Sequence, residues 1–258
     1  MTQSGEQTLS DSEFKQYQDE GYVLTDVLAN DEVEAAKTRL REYVTGQRET
    51  GDLAMQLEPR VEQGEVEVED ETKAYRKISG LVRHDELFYD LATKPAILEP
   101  MKQLLGPHLK MYWSGAMLKP PQIGSEKGPH QDLPYWPIQF QGECSVWIPL
   151  DEATPDNGCM QVIPGAHKRG QLPHVSVEND FVIQDDQYEE SQFQSVPMDP
   201  GEGLFFYGLL PHFTRSNQTT DWRRAIVFAY TSSRSRYTAD SDLPDCVHVS
   251  GESFPGCI

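Results

Sequence analysis

From about residue 109 onward the chain becomes a series of short apolar or aromatic runs separated by Gly, Pro and Asn. The runs cover 110–118, 145–150, 158–163, 203–210 and 225–231, each the length of a strand. Segments this short, punctuated by turn formers, predict an antiparallel double-sheet barrel or jelly roll. The first half has a different period. Ser10 and Glu13 stand at capping-box spacing before a short helix that runs to about residue 20, and Gly21 stops it. A short strand follows over 22–24. Val33, Ala36, Leu40 and Val44 recur at helical spacing and predict an amphipathic helix over 31–44. A loop-rich stretch is expected over 46–71, then helices over 86–93 and 96–105, the second closed by Gly106-Pro107. Residues 1–9 are polar and expected to fray. The sum is one domain over 1–258, mainly β, with the N-terminal helices packed outside the barrel.

Charge narrows the partners. The 42 acidic residues outnumber 22 basic ones, for a formal charge of −20. Such a surface repels phosphate backbones and anionic lipid, so neither nucleic acid nor a membrane is an expected partner. The acidity reads equally as adaptation to a salty cytoplasm or as ordinary solubility, and part of it is local to 62–71. No apolar run approaches the ~18 residues of a membrane span. The polar start Met1-Thr2-Gln3-Ser4-Gly5-Glu6 lacks the apolar stretch of a secretory signal, and a cytoplasmic location is expected. Cys144, Cys159, Cys246 and Cys257 form no C-x-x-C pair, which argues against a disulfide framework or a structural zinc site. A small-molecule substrate is the expected partner. The sequence carries no signal for oligomeric state.

His130-Gln131-Asp132 puts an imidazole and a carboxylate two positions apart, on one side of the chain if that segment is extended. A third ligand must come from elsewhere, and His212 is the best candidate, at the end of the apolar run Leu204 to Leu210. Two His and one carboxylate make a facial triad suited to iron(II), leaving coordination positions open. Alone, His-x-Asp also occurs as ordinary solvated polar residues. Arg223 adds weight. It lies eleven residues after His212, where a strand, turn and return strand bring both to one end of a barrel. A guanidinium there can grip a carboxylate with two parallel hydrogen bonds. Arg224 competes for that place, because neighbouring strand residues point in opposite directions.

Lys119-Pro120-Pro121, Gly128-Pro129-His130-Gln131-Asp132-Leu133-Pro134-Tyr135-Trp136-Pro137, Asp156-Asn157-Gly158-Cys159-Met160, Ile163-Pro164-Gly165-Ala166-His167-Lys168 and Leu210-Pro211-His212 resemble the phytanoyl-CoA dioxygenase family. So does the opening segment with Asp19-Glu20-Gly21-Tyr22-Val23, and the resemblance runs from about residue 10 to 235. It implies a double-stranded β-helix (jelly-roll, cupin-like) core. It also implies iron(II), 2-oxoglutarate and dioxygen, with release of succinate and carbon dioxide coupled to hydroxylation of a C–H bond. Residue by residue it implies His130, Asp132 and His212 as iron ligands and Arg223 as the 2-oxoglutarate arginine. Trp147 matches a position lining the co-substrate pocket, or is a core Trp. Lys77 resembles a further co-substrate contact, or is a surface lysine. Halogenating relatives lack the carboxylate that Asp132 supplies here, which points to hydroxylation. Ala166 stands where relatives often have Ser, and His167 reads as fixing its loop.

Other assignments stay two-sided. Ser216 either reaches the co-substrate carboxylate or forms the turn. Tyr135, Trp136 and Ile138 form a substrate wall or an aromatic core cluster, and Tyr112, Trp113 and Met117 pose the same choice. The acidic stretch 177–194 is a lid or a surface loop. Apolar walls suit a small or lipid-like substrate. No basic patch for coenzyme A phosphates is visible, Lys168-Arg169 being the nearest. Rival readings are a non-catalytic jelly-roll binder, a cupin-type isomerase or hydrolase, and an oxygenase giving desaturation, epimerisation or ring closure.

Overall fold

The computed structural model describes residues 8–177, 180–240 and 246–258. Six helices are described: α1 (Asp11–Glu20), α2 (Asn30–Val44), α3 (Pro59–Glu62), α4 (Leu81–His84), α5 (Glu86–Thr93) and α6 (Pro95–Leu105). The capping box forms, with Ser10 and Glu13 each satisfying the other's backbone N–H, and Gly21 ends α1 at φ 86°. Leu9 departs from the expected fray. Residues 1–7 lie outside the described residues, but Leu9 is buried and exchanges hydrogen bonds with the Gln103 side chain, at 2.8 and 3.1 Å.

The larger sheet has eight antiparallel strands. In spatial order they are β1 (Tyr22–Asp26), β12 (Glu202–Phe206), β7 (Glu143–Pro149), β14 (Arg223–Ser232), β4 (Leu109–Lys119), β3 (Tyr75–Ser79) and β2 (Ala54–Leu57), with β16 (Val247–Ser250) also on β4. The smaller sheet runs β11 (Gln194–Val196), β8 (Met160–Val162), β13 (His212–Thr214) and β5 (Lys127–His130). Two short pairs complete the described strands: β6 (Ile138–Gln139) with β15 (Arg236–Tyr237), and β9 (His174–Val177) with β10 (Asp180–Ile183). This is the mainly-β, cupin-like jelly roll with outer helices that the pattern of short runs predicts.

The strand period of two sorts the core. Val146, Ile148, Phe205, Ile226, Phe228 and Tyr230 join one apolar cluster with Leu40, Phe88, Ile97 and Met101 of the helices. Trp147, Leu204, Phe206, Ala225 and Val227 join a second cluster with Met160, Val162 and Leu210, between the sheets. Residue parity along β7, β12 and β14 therefore decides which side chain meets helices and which meets the barrel interior.

Three expectations change. The stretch 46–71 contains β2 and α3, and β3 follows it, so the large sheet extends into what reads as loop. The run 203–210 ends as strand at Phe206, because Tyr207 to Leu210 turn back with Leu210 N–H donating to Tyr207 O at 2.7 Å. The stretch 177–194 is not a plain loop: it contains β10 and two 3-10 turns, and Phe181 packs edge-on against Tyr135. Residues 178–179 within it lie outside the described residues. No described helix is long and apolar enough to cross a membrane.

Candidate metal centre and its cavity

β5 and β13 are neighbours in the smaller sheet, with His130 directly opposite His212 and their ring centroids 4.1 Å apart. Each imidazole is held by a carbonyl two residues earlier: His130 Nδ1 lies 2.8 Å from Gly128 O, and His212 Nδ1 lies 2.9 Å from Leu210 O. A carbonyl can only accept, so each Nδ1 carries the proton and each Nε2 presents a lone pair. Both Nε2 atoms stand 3.6 Å from Asp132 Oδ1, and the three ligand atoms lie within 4.8 Å of one another. An ion bound at about 2 Å to each would span those gaps. Burial, then the neighbouring His212, hold His130 well below the ordinary imidazole range, so it is the neutral, ligating form.

The local reason for the His130–Asp132 pairing differs from the extended segment expected. Asp132 has φ −74° and ψ −39° and opens a 3-10 turn over Leu133–Tyr135. Its N–H donates to Gly208 O at 2.7 Å, in the turn that truncates β12. Gln131 between the ligands is fully buried and faces away from the metal ligands. Its amide donates to Gly170 O (3.0 Å) and Leu209 O (2.6 Å) and accepts from Leu172 N–H (2.8 Å).

Sequence reading missed Glu143. Buried at the start of β7, it accepts from Tyr112 Oη (2.9 Å), Ser145 Oγ (3.1 Å) and Gly208 N–H (2.6 Å). Glu143 therefore holds Gly208 by its N–H, while the carbonyl of the same residue holds Asp132. Burial, and next the charge of Asp132, raise its carboxyl to about 8. A Cβ on residue 208 would lie 2.4 Å from the Glu143 carboxylate, so the turn needs glycine there. An acidic residue opening the run Cys144 to Pro149, apolar but for Ser145, was the available signal.

A cavity of about 310 Å³ opens onto the triad. Arg223 lines it and is 1% exposed. Parity decides between the neighbouring arginines: Arg223 shares the inward face with Ala225 and Val227, while Arg224 turns outward to Asp151 with bonds of 2.8 and 2.7 Å. Arg223 has no such mate. Its guanidinium sits 5.4 Å over the Trp147 ring, reaches Met117 O only at 3.4 Å, and leaves Nε without a partner. Burial alone pulls it down to about 10. A buried cation with unmet donors calls for an anionic ligand.

Trp147 and Lys77 also line the cavity, Lys77 Nζ lying 4.9 Å over the Trp113 ring. Tyr135 and Trp136 line it, as do Tyr112, Trp113 and Met117. Two residues fall outside the lining. Ser216 is not among the lining residues, and the side chain offered from that region is Thr214 of β13, because the chain leaves the sheet after it. Ile138 packs instead with Tyr112, Ala229 and Ile258 in a small core cluster, since the β6 pairing turns it inward. His167 packs near Gly21 and Tyr207 and is not part of the ligand group.

A sequence model of the phytanoyl-CoA dioxygenase family matches residues 17–225, most of the chain and all but the outer edge of the site just described. The chain belongs to the phytanoyl-CoA dioxygenase family. A probable phytanoyl-CoA dioxygenase of Caenorhabditis elegans is 30% identical over 198 residues, covering 72% of this chain and 61% of that protein. A methylphosphonate hydroxylase of Gimesia maris is 34% identical over 117 residues, 43% of each chain. Among solved structures, the non-heme monooxygenase ThoJ in its apo form has a TM-score of 0.74 at 23% identity, covering 95% of this chain and 85% of its own. The chain spans about half to three fifths of the length of the curated phytanoyl-CoA dioxygenases it matches.

Proposed function

We propose that the protein is an iron(II)- and 2-oxoglutarate-dependent dioxygenase that hydroxylates a small organic molecule. One observation carries the reading: a preorganised His-Asp-His triad shares a cavity with a buried arginine that has no carboxylate partner among the described residues. A triad alone would suit several metal-dependent activities; the arginine asks in addition for an anion reaching the same space. Family membership and the hydroxylase named among the relatives support the same reading.

His130, Asp132 and His212 would hold iron(II), and the donor set fits: two neutral imidazoles and one hard carboxylate on one side of the ion. Iron on these ligands, with 2-oxoglutarate and dioxygen, supplies the oxidant for C–H hydroxylation and releases succinate and carbon dioxide. The chain's own work is positioning. Arg223 grips the distal carboxylate of the keto acid, and the Trp147 face keeps the guanidinium aimed. Lys77 adds positive charge beside them. Tyr135 and Trp136 form part of the wall that holds the substrate and keeps water away.

The test is succinate release by purified protein with iron(II), ascorbate and 2-oxoglutarate across a substrate panel, with Asp132→Ala as control. The proposal expects at least slow, uncoupled succinate formation that the variant lacks. Product analysis separates hydroxylation from desaturation, epimerisation or ring closure.

A further inference from the structure

Although acidic residues outnumber basic ones 42 to 22, five of the basic residues line this one cavity: Arg76, Lys77, Lys119, Lys127 and Arg223. Only Asp132 and Asp180 oppose them within the lining, leaving a formal surplus of three positive charges. Counting buried Glu58, whose charge reaches Lys119, leaves two. An iron(II) ion and a 2-oxoglutarate dianion cancel each other, so a loaded centre would keep the surplus.

The cations crowd one another. Lys77 is held below the usual lysine range by burial, then by Lys127 and Arg76. Lys119 is lowered well below it by burial, then by Arg223 and Arg76. Arg76 bears on both lysines and adds to their crowding. Asp180 pairs with Lys127, and Lys119 donates to Ser125 O. Partly buried Arg76 donates from Nη2 to Glu126 O at 3.2 Å and has no carboxylate within ion-pair distance among the described residues. Like charges gathered in a poorly solvated cleft are costly unless a counter-charge arrives. Arg223 accounts for one anion, the co-substrate's. Arg76, on a different strand, is left for another.

We infer that the primary substrate carries an anionic head group (a carboxylate, phosphonate or phosphate) gripped by the Arg76 guanidinium, with its carbon skeleton lying along Trp113, Trp136 and Met117 toward the triad. The substrate class rests on the oxygenase reading above. A fork of N–H donors matches such oxoanions, and the fields of Lys77 and Lys127 reinforce it. Sequence reading found no basic patch because its members lie at 76, 77, 119, 127 and 223, and only the fold gathers them.

The experiment is an anaerobic titration of the iron(II)–2-oxoglutarate holoenzyme, followed by tryptophan fluorescence, with hexanoate, hexylphosphonate and the neutral hexanamide. Each anion is expected to bind at least about tenfold tighter than the amide, a difference of about 1.4 kcal/mol. Arg76→Gln should erase that preference, and Arg76→Lys should retain most of it. Each variant is read against its own amide, so a general loss of binding is not mistaken for loss of preference. Equal binding of all three probes, failure of the anions to bind, or a preference that survives Arg76→Gln overturns the inference. The oxygenase reading fails separately, through absence of succinate release. The titration then runs in an Arg223→Met background, so that the co-substrate arginine cannot supply the preference, and still decides the part of Arg76.

Discussion

On β14, Ile226, Phe228 and Tyr230 point into the helices, while Arg223, Ala225, Val227 and Ala229 point toward the smaller sheet or the cavity. The helix side completes itself: its apolar groups fill one another's spaces, and Tyr230 Oη donates to Ala92 O at 2.6 Å. The cavity side does not. It keeps small Ala229 in the cavity wall and buries a guanidinium with unmet donors. One backbone thus carries a face whose stability is intrinsic and a face that is finished only by what binds to it.

Substitutions can break that contrast. The largest effect is expected from Asp132→Ala or His212→Ala, which should reduce succinate release to background with little change in thermal midpoint. Next is Arg223→Met. Losing a buried charged grip costs about 2–5 kcal/mol, so KM for 2-oxoglutarate should rise by roughly two orders of magnitude. The same change removes a buried, unpaired charge, so the ligand-free protein should become more stable, not less, in urea titration. Added 2-oxoglutarate should raise the melting temperature of the iron-loaded parent but not of this variant. On the other face, Phe228→Ala should cost about 3–5 kcal/mol in the same urea titration, as expected for a large buried ring.

Smaller effects sharpen the picture. Glu143 is held up to about 8 by burial, so the folded protein keeps a proton that the unfolded chain gives up at ordinary carboxylate pH. Between those two values the folded state binds more protons, and stability falls as pH rises, by up to about 1.4 kcal/mol per pH unit. Glu143→Gln should flatten that slope in metal-free protein. Arg224→Gln removes only a partly exposed pair with Asp151 and should cost no more than about 1 kcal/mol, leaving KM for 2-oxoglutarate unchanged.

Much of this was legible in the residues. The short runs after residue 109 announced a jelly roll because each is the length of a strand and is closed by turn formers, and runs this apolar are buried on both faces once the layers pack. The helix over 31–44 and the caps at Ser10 and Gly21 were equally plain, since they depend on neighbours in sequence. β2 and β3 were not, because β2 pairs with β3 and β3 with β4, which lies over thirty residues further along, and that pairing supplies what local propensity lacks. Within the site, His130, Asp132, His212 and Arg223 were named from spacing and resemblance, and the fold brings them to one cavity. Ser216 was placed by sequence proximity to His212, but the chain has already left the sheet there. Glu143 went unnamed because its part depends on a peptide 65 residues away.

Residue type and local period by themselves determined the kind of fold, the chemistry of the ligand set, and the acidic exterior. Only the tertiary structure decided that Asp132 reaches the histidines from a turn held by Gly208, that Arg223 and not Arg224 faces inward, and that scattered basic residues converge on one cavity. The physical reason is range. Capping, period and charge count are properties of a residue and its neighbours, whereas strand parity across a sheet, a shared carbonyl and a local electric field exist only once distant segments have met.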